Sequence, residues 1–190
     1  MKVKKNVVRG SILKILRIPL RGAGTATNRL ALHPPLQALQ GVAVDFNGQV
    51  NIAAPKQEVW EYLTDPHAVS QCAPGLESIK IVTPDARFEV VAAVGFGTVK
   101  VRFVTDVEWT ALDPPNRASM KAHGTAPGSV VDVLANMTLT DGERESTDMA
   151  WSAQVTVSGT ITSLASRLMG SVAKKVTTSF FDCVKKKIEG

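Results

Sequence analysis

Side chains able to do acid–base, nucleophilic or metal chemistry are few in this sequence, and their spacing does not gather them. Histidine occurs three times, at His33, His67 and His123. The first lies in a Pro-rich linker, the second follows an Asp-Pro helix stop, and the third falls on the outward parity of a strand. None pairs with a second histidine or a cysteine at ligand spacing, so no metal site is expected. Cys72 and Cys183 lie far apart and match no C-x-x-C pattern. No general base sits at a recognisable distance from Cys72, which reads as a structural residue beside the Pro74-Gly75 turn rather than a nucleophile. Two such isolated cysteines point to a reducing, cytoplasmic setting. Asp106 and Glu108 share a strand face, as paired carboxylates do, but it is the wet face. Gly95-x-Gly97 has no helix after it and marks a strand turn or bulge, not a phosphate loop. No catalytic residue is assigned.

The remaining candidates are aromatic and sulfur-bearing. The faces of Trp60, Trp109, Trp151 and Phe180 can stack on a planar ring. Met120, Met137 and Met149 would give a binding wall some adaptability. The same residues also suit an ordinary core, so their role depends on the elements that hold them.

Those elements are legible from periodicity. Phe46, Gly48, Val50 and Ile52 alternate with polar residues, as a half-buried strand requires. Pro55 opens a helix that puts Val59, Trp60 and Leu63 on one face, and Asp65-Pro66 stops it. A meander of five or six strands follows, with Phe88, Phe96, Phe103, Trp109, Met120, Met137, Met149 and Trp151 on the inward parity. One long helix, Thr162 to Ile188, ends the fold. Leu164, Leu168, Val172, Val176, Phe180 and Val184 recur along it every four residues, supported by Ala165, Met169, Ala173 and Cys183, and Lys185, Lys186 and Lys187 sit at its negative end. The class is α+β: a curved antiparallel sheet, apolar on one face, wrapped around the only helix long enough to cover it. The space between them is either a filled core or an apolar cavity. If a cavity, its wall is drawn from Trp60, Phe88, Phe96, Phe103, Trp109, Met120, Met137, Met149, Trp151, Leu168, Val172 and Phe180. The inward set contains no His, Asp, Glu, Lys or Arg, which favours a binding protein over an enzyme.

Charge divides the chain in two. Apolar residues make up 44% and charged residues 21%, as in a globular protein, and no apolar run nears the roughly 20 residues that span a bilayer. Of the 22 Lys and Arg, eight fall before Asp45 with no acid among them; the other 14 face all 17 acids, a net of −3. Residues 1–43 therefore read as a basic arm and linker, and 44–190 as the folded domain. An acidic fold argues against nucleic acid as a partner. In the arm, Val8, Ile12, Ile15 and Pro19 can share a helical face with Leu16 at its edge, while Lys4, Lys5, Lys14, Arg17 and Arg21 lie elsewhere. Such a segment can rest on an anionic membrane surface, each basic residue adding about 1 kcal/mol. A disordered tail and a transit peptide are the competing readings.

Residues Ala54-Pro55-Lys56-Gln57-Glu58-Val59-Trp60-Glu61-Tyr62-Leu63-Thr64-Asp65-Pro66 resemble the SRPBCC (START-like, helix-grip) superfamily. The following Gln71-Cys72-Ala73-Pro74-Gly75-Leu76-Glu77-Ser78 narrows this to a resemblance to the carbon monoxide dehydrogenase G-subunit family. Phe88, Gly97-x-Val99-x-x-x-Phe103, Asp113-Pro114-Pro115, Arg167-Leu168 and Phe180-Phe181 fall at that family's recurring positions, so the likeness covers roughly residues 44–188. It implies a helix-grip fold enclosing a hydrophobic small molecule. It also implies an accessory, non-catalytic partner of a molybdenum hydroxylase-type dehydrogenase, held peripherally at the cytoplasmic membrane. A quinone would be the bound molecule, with no covalent cofactor. The superfamily also supplies two alternatives, a cyclase- or dehydratase-like enzyme and a lipid-binding assembly scaffold.

Overall fold

The computed structural model describes residues 4–6 and 41–190. In chain order the elements are β1 (Lys4–Asn6), β2 (Val42–Ile52), α1 (Lys56–Thr64), α2 (Pro66–Ser70), β3 (Leu76–Thr83) and β4 (Arg87–Phe96). They continue with β5 (Val99–Asp113), β6 (Arg117–Ala126), β7 (Ser129–Asp141), β8 (Thr147–Gly159) and α3 (Thr162–Ile188). All eight strands form one antiparallel sheet in the order β1-β2-β8-β7-β6-β5-β4-β3. Strands β3 to β8 are a six-strand meander, and β2 returns to pair with the last of them, Gly48 opposite Trp151.

At the sheet edge, β1 lies along β2 with Lys5 opposite Phe46. Lys4 and Lys5, expected on a basic amphipathic arm, therefore stand in a strand. Ile12, Lys14, Ile15, Leu16, Arg17 and Arg21 lie outside the described residues, as does His33.

Antiparallel register carries same-parity residues into rows across the sheet. One row runs Trp109, Met120, Ala135, Ala153 and Phe46; the next runs Ala118, Met137, Trp151 and Gly48. Both lie on the face turned toward α3. Asp65 ends α1 and caps α2, its side chain accepting from the His67 backbone N–H at 2.8 Å. The turn into α3 depends on Gly159 at φ 92°, where a Cβ would collide with the Gly128 carbonyl.

Helix α3, 27 residues and about 40 Å long, spans the trough of the sheet and packs on β2 and β8 along one side and β4 along the other. Its buried residues are Ala165, Met169, Phe181 and Val184. Of the four-residue row read from sequence only Val184 is among them, while Ala165 and Met169 come from the residues read as supporting that row. Each step of four turns 400°, about 40° past a full circle, so the row winds around the helix. Leu164, Leu168, Val172 and Phe180 are accordingly only half-buried, and Val176 is exposed.

Cys72 and Cys183 form a disulfide, Cα atoms 5.4 Å apart, which corrects the expectation of two separate thiols. The pairing spans 111 residues and arises because the C-terminal part of α3 returns to the end of α2. Among the described residues, no helix is long and apolar enough to cross a membrane.

Candidate functional site

Between the sheet and α3 lies a cavity of about 300 Å³, at the small end of the range for small-molecule sites. Its floor is made of Ala118, Ala135 and Ala153, with Met120, Met137 and Met149 beside them. Ala135 and Ala153 are register partners on β7 and β8, and Ala118 stands on β6 in the adjacent row, opposite Met137, so three short side chains leave space together that none would leave alone. Phe88, Val90, Val107 and Trp109 from β4 and β5 form one wall. Leu63, Pro66, Val69, Ser70, Ala73, Leu76 and Ile79 form another, from the α1–α2–β3 segment, and Phe180 of α3 closes over the space. The cavity is partly open to the surface, and Val69, Leu76, Ile79 and Phe180 of its lining are only half-buried.

Polar groups are scarce. Ser70 donates its hydroxyl to the His67 carbonyl at 2.8 Å and is thereby satisfied. Asn136 and Ser152 reach the cavity from outward-parity positions; the Asn136 side chain accepts from the Ser119 hydroxyl at 2.7 Å. No His, Asp, Glu, Lys or Arg contributes to the lining. Trp151 lies against the backbone of Gly48, where a Cβ would come within 2.9 Å of its Nε1, Cε2 and Cζ2. The Trp151 Nε1–H is buried and has no hydrogen-bond partner among the described residues, which leaves a donor for an acceptor to take.

The outer face of the same strands carries the charge. Arg87 pairs with Asp106 at 2.8 Å, Lys121 with Glu108 at 3.0 Å, and His123 Nδ1 lies 2.6 Å from Asp132. The hydrogen bond and charge of Asp106 raise the pKa of Arg87. Exposed pairs of this kind contribute little stability. Asp106 and Glu108 thus have basic partners, and His123 is a surface residue. No group of three or more His, Cys, Asp or Glu is placed to hold a metal ion among the described residues.

Residues 48–189, which include the whole cavity lining, match the family of carbon monoxide dehydrogenase G subunits (CoxG). The chain belongs to that family. No curated protein matches it. Among solved structures, it is similar to a conserved protein from Geobacillus kaustophilus, 25% identical with a TM-score of 0.71, covering 76% of this chain and 95% of that one. It also resembles the ZhuI aromatase/cyclase from Streptomyces sp. R1128 (17% identity, TM-score 0.62, covering 77% and 94%). A truncated norcoclaurine synthase from Thalictrum flavum shares the architecture at 11% identity and TM-score 0.56, covering 78% and 94%. The fold is the helix-grip, START-like arrangement of a curved antiparallel sheet and a C-terminal helix.

Of the twelve wall residues named from the sequence of this CoxG family member, seven reach the cavity: Phe88, Trp109, Met120, Met137, Met149, Trp151 and Phe180. The other five do not. Trp60 points from α1 into the core beneath, 6% exposed, and Phe96 and Phe103 fill the opposite half of the trough. Leu168 and Val172 pack at the edge of that filled half. From the sequence a short second turn follows Asp65-Pro66, but no wall residue is named in it, because five helical residues are too few to show a period. The alanines stand on the inward parity, yet none is named as a wall residue; that they lie next to one another was readable only once the strand registers were known.

Proposed function

We propose that this chain is an accessory subunit of a molybdenum hydroxylase-type carbon monoxide dehydrogenase, that its cavity takes a hydrophobic molecule, a quinone, and that it couples the enzyme to the cytoplasmic face of a membrane. The observation that carries the ligand reading is the cavity itself, apolar over nearly all of its wall and lined by no His, Asp, Glu, Lys or Arg. A charged ligand would lose its hydration there without a partner, whereas a neutral ring gains apolar contact and stacking. Trp109, Trp151, Phe88 and Phe180 supply aromatic faces, and the opening to the surface gives a prenyl tail a way out of so small a space. An enzyme would need an acid or base at the reacting atoms, and the lining offers neither. The dehydrogenase partner follows from family membership. The membrane reading rests on the basic residues of the first 43 positions.

Extraction of the purified protein with organic solvent should yield an apolar molecule. Titration of the stripped chain with a short-chain naphthoquinone should quench the wall tryptophans, Trp109 and Trp151, to saturation. Finding neither would overturn the ligand reading. Replacing Lys14, Arg17 and Arg21 together by Gln should weaken binding to anionic liposomes while leaving β1 on the sheet; undiminished binding would remove the arm from the membrane contact.

A further inference from the structure

The cavity wall formed by α2 is weakly held. This helix is five residues long and has no buried side chain. It packs chiefly on α1 and β3. Yet Pro66, Val69 and Ser70, with Ala73 just beyond, line the cavity. Across the space stands α3, whose Phe180 closes the other side. The disulfide joins these two walls: Cys72 immediately precedes Ala73, and Cys183 lies one turn beyond Phe180. Around the disulfide, Cys72 shares an apolar cluster with Phe181 and Val184, with Val69 packed against it, while the polar links are slight. Lys187 donates to the Gln71 side chain at 3.1 Å in an exposed position, and Cys183 Sγ lies 3.9 Å from the Gln71 carbonyl.

We infer that the Cys72–Cys183 disulfide is a redox latch on the cavity: when it is oxidised α2 is tied to α3, and its reduction by a dithiol frees the wall and speeds passage of the bound molecule. The consequence for exchange rests on the ligand reading above. The movement of the wall does not.

The chemistry balances as ordinary thiol–disulfide exchange. A thiolate of the reductant attacks Cys183 Sγ, which is half-buried, in preference to Cys72, which is 4% exposed. The S–S bond breaks and Cys72 leaves as a thiolate. The Tyr62 hydroxyl, 3.4 Å from Cys72 Sγ, is placed to donate a hydrogen bond to it. Burial first, and then the charge of Asp65, raise the pKa of that hydroxyl, so it keeps its proton. The second thiol of the reductant then attacks its own sulfur in the mixed disulfide and releases Cys183. Two electrons and two protons pass to the protein, giving two thiols and one oxidised reductant. A latch of this kind works in a compartment whose dithiols can reduce it, where disulfides are typically transient or redox-sensing.

The test uses the full chain and N-phenyl-1-naphthylamine, a neutral fluorescent probe that thiols do not attack as they would a quinone. Release of the probe into acceptor liposomes is timed for the oxidised protein, for protein reduced with dithiothreitol, and for protein reoxidised afterwards. Reduction should speed release at least tenfold, reoxidation should restore the slow rate, and Cys183→Ser should release fast whatever the reductant. Amide hydrogen exchange of the reduced wild-type chain should accelerate in residues 66–76 and stay unchanged in β5 to β8. Equal release from the oxidised and reduced forms would overturn the latch, as would unchanged exchange in 66–76. If the probe binds neither form, the ligand reading fails, and the exchange measurement still decides whether the wall is tied by the disulfide.

Discussion

Under the single helix α3 the trough of the sheet is filled in one half and hollow in the other, though strands β4 to β8 contribute to both. In the filled half, Val44, Phe46, Phe96, Phe103, Val157, Ile161, Ala165 and Met169 pack together. Ala165, at 0% exposure, has no side chain beyond Cβ and lets the start of α3 settle close to the sheet. In the hollow half the floor is alanine, and the helix presents Phe180 rather than a set of interlocking side chains. Burial resumes only at Phe181 and Val184, against the α1 core. The filled half anchors the helix, and that anchor lets the other half stay open. A cavity of this kind survives because close packing elsewhere compensates for the contacts it lacks.

That division predicts opposite consequences for substitutions in the two halves. Phe103→Ala removes an aromatic ring from the filled half and should cost about 3–5 kcal/mol. In a chain of this length each kcal/mol lowers Tm by about 2–4 °C. Thermal unfolding followed by circular dichroism measures this, and a Tm unchanged within error would mean the half is not the anchor. Gly48→Ala lies at the join. The added methyl would meet the Trp151 indole at 2.9 Å and force a shift costing about 1–3 kcal/mol. Tryptophan emission should move with it; an unaltered spectrum at undiminished stability would show that the ring does not need the glycine. Ala135→Trp fills the hollow. It should weaken binding of a naphthoquinone tenfold or more, about 1.4 kcal/mol, while stability changes little because the new ring enters empty space. Full binding in that variant would place the ligand elsewhere. The smallest effect is expected on the outer face, where His123→Ala should stay within about 0.5 kcal/mol of the parent and leave binding intact.

The tripeptide β1 belongs to neither half. It adds a short strand at the β2 edge and places part of a basic segment on the fold itself. Short strands bearing lysine are a common way to blunt a sheet edge.

Periodicity settled more of the architecture than of the site. Alternation along Phe46–Ile52 and from Phe88 to Val157 marked the strands and their inward faces, and Pro55 and Asp65-Pro66 bracketed α1, because these signals are local. The same parity gave the chemical character of the trough face: large, apolar and without titratable groups. It did not say which part of that face stays empty. Phe103 and Trp109 share a strand and a parity, yet one is packed in core and the other faces a cavity. Their difference lies in what α3 brings opposite each, and a helix that turns 100° per residue selects its contacts by its path over the sheet. The row from Leu164 to Val184 misled for that reason. The disulfide was hidden as well, since nothing local to Cys72 or Cys183 announces a partner 111 residues away. Sequence by itself therefore determined the strands from β2 onward, the helices α1 and α3, and the apolar trough. Tertiary structure decided where the trough is hollow and which bond ties its walls, because both depend on long-range placement of one helix against a curved sheet.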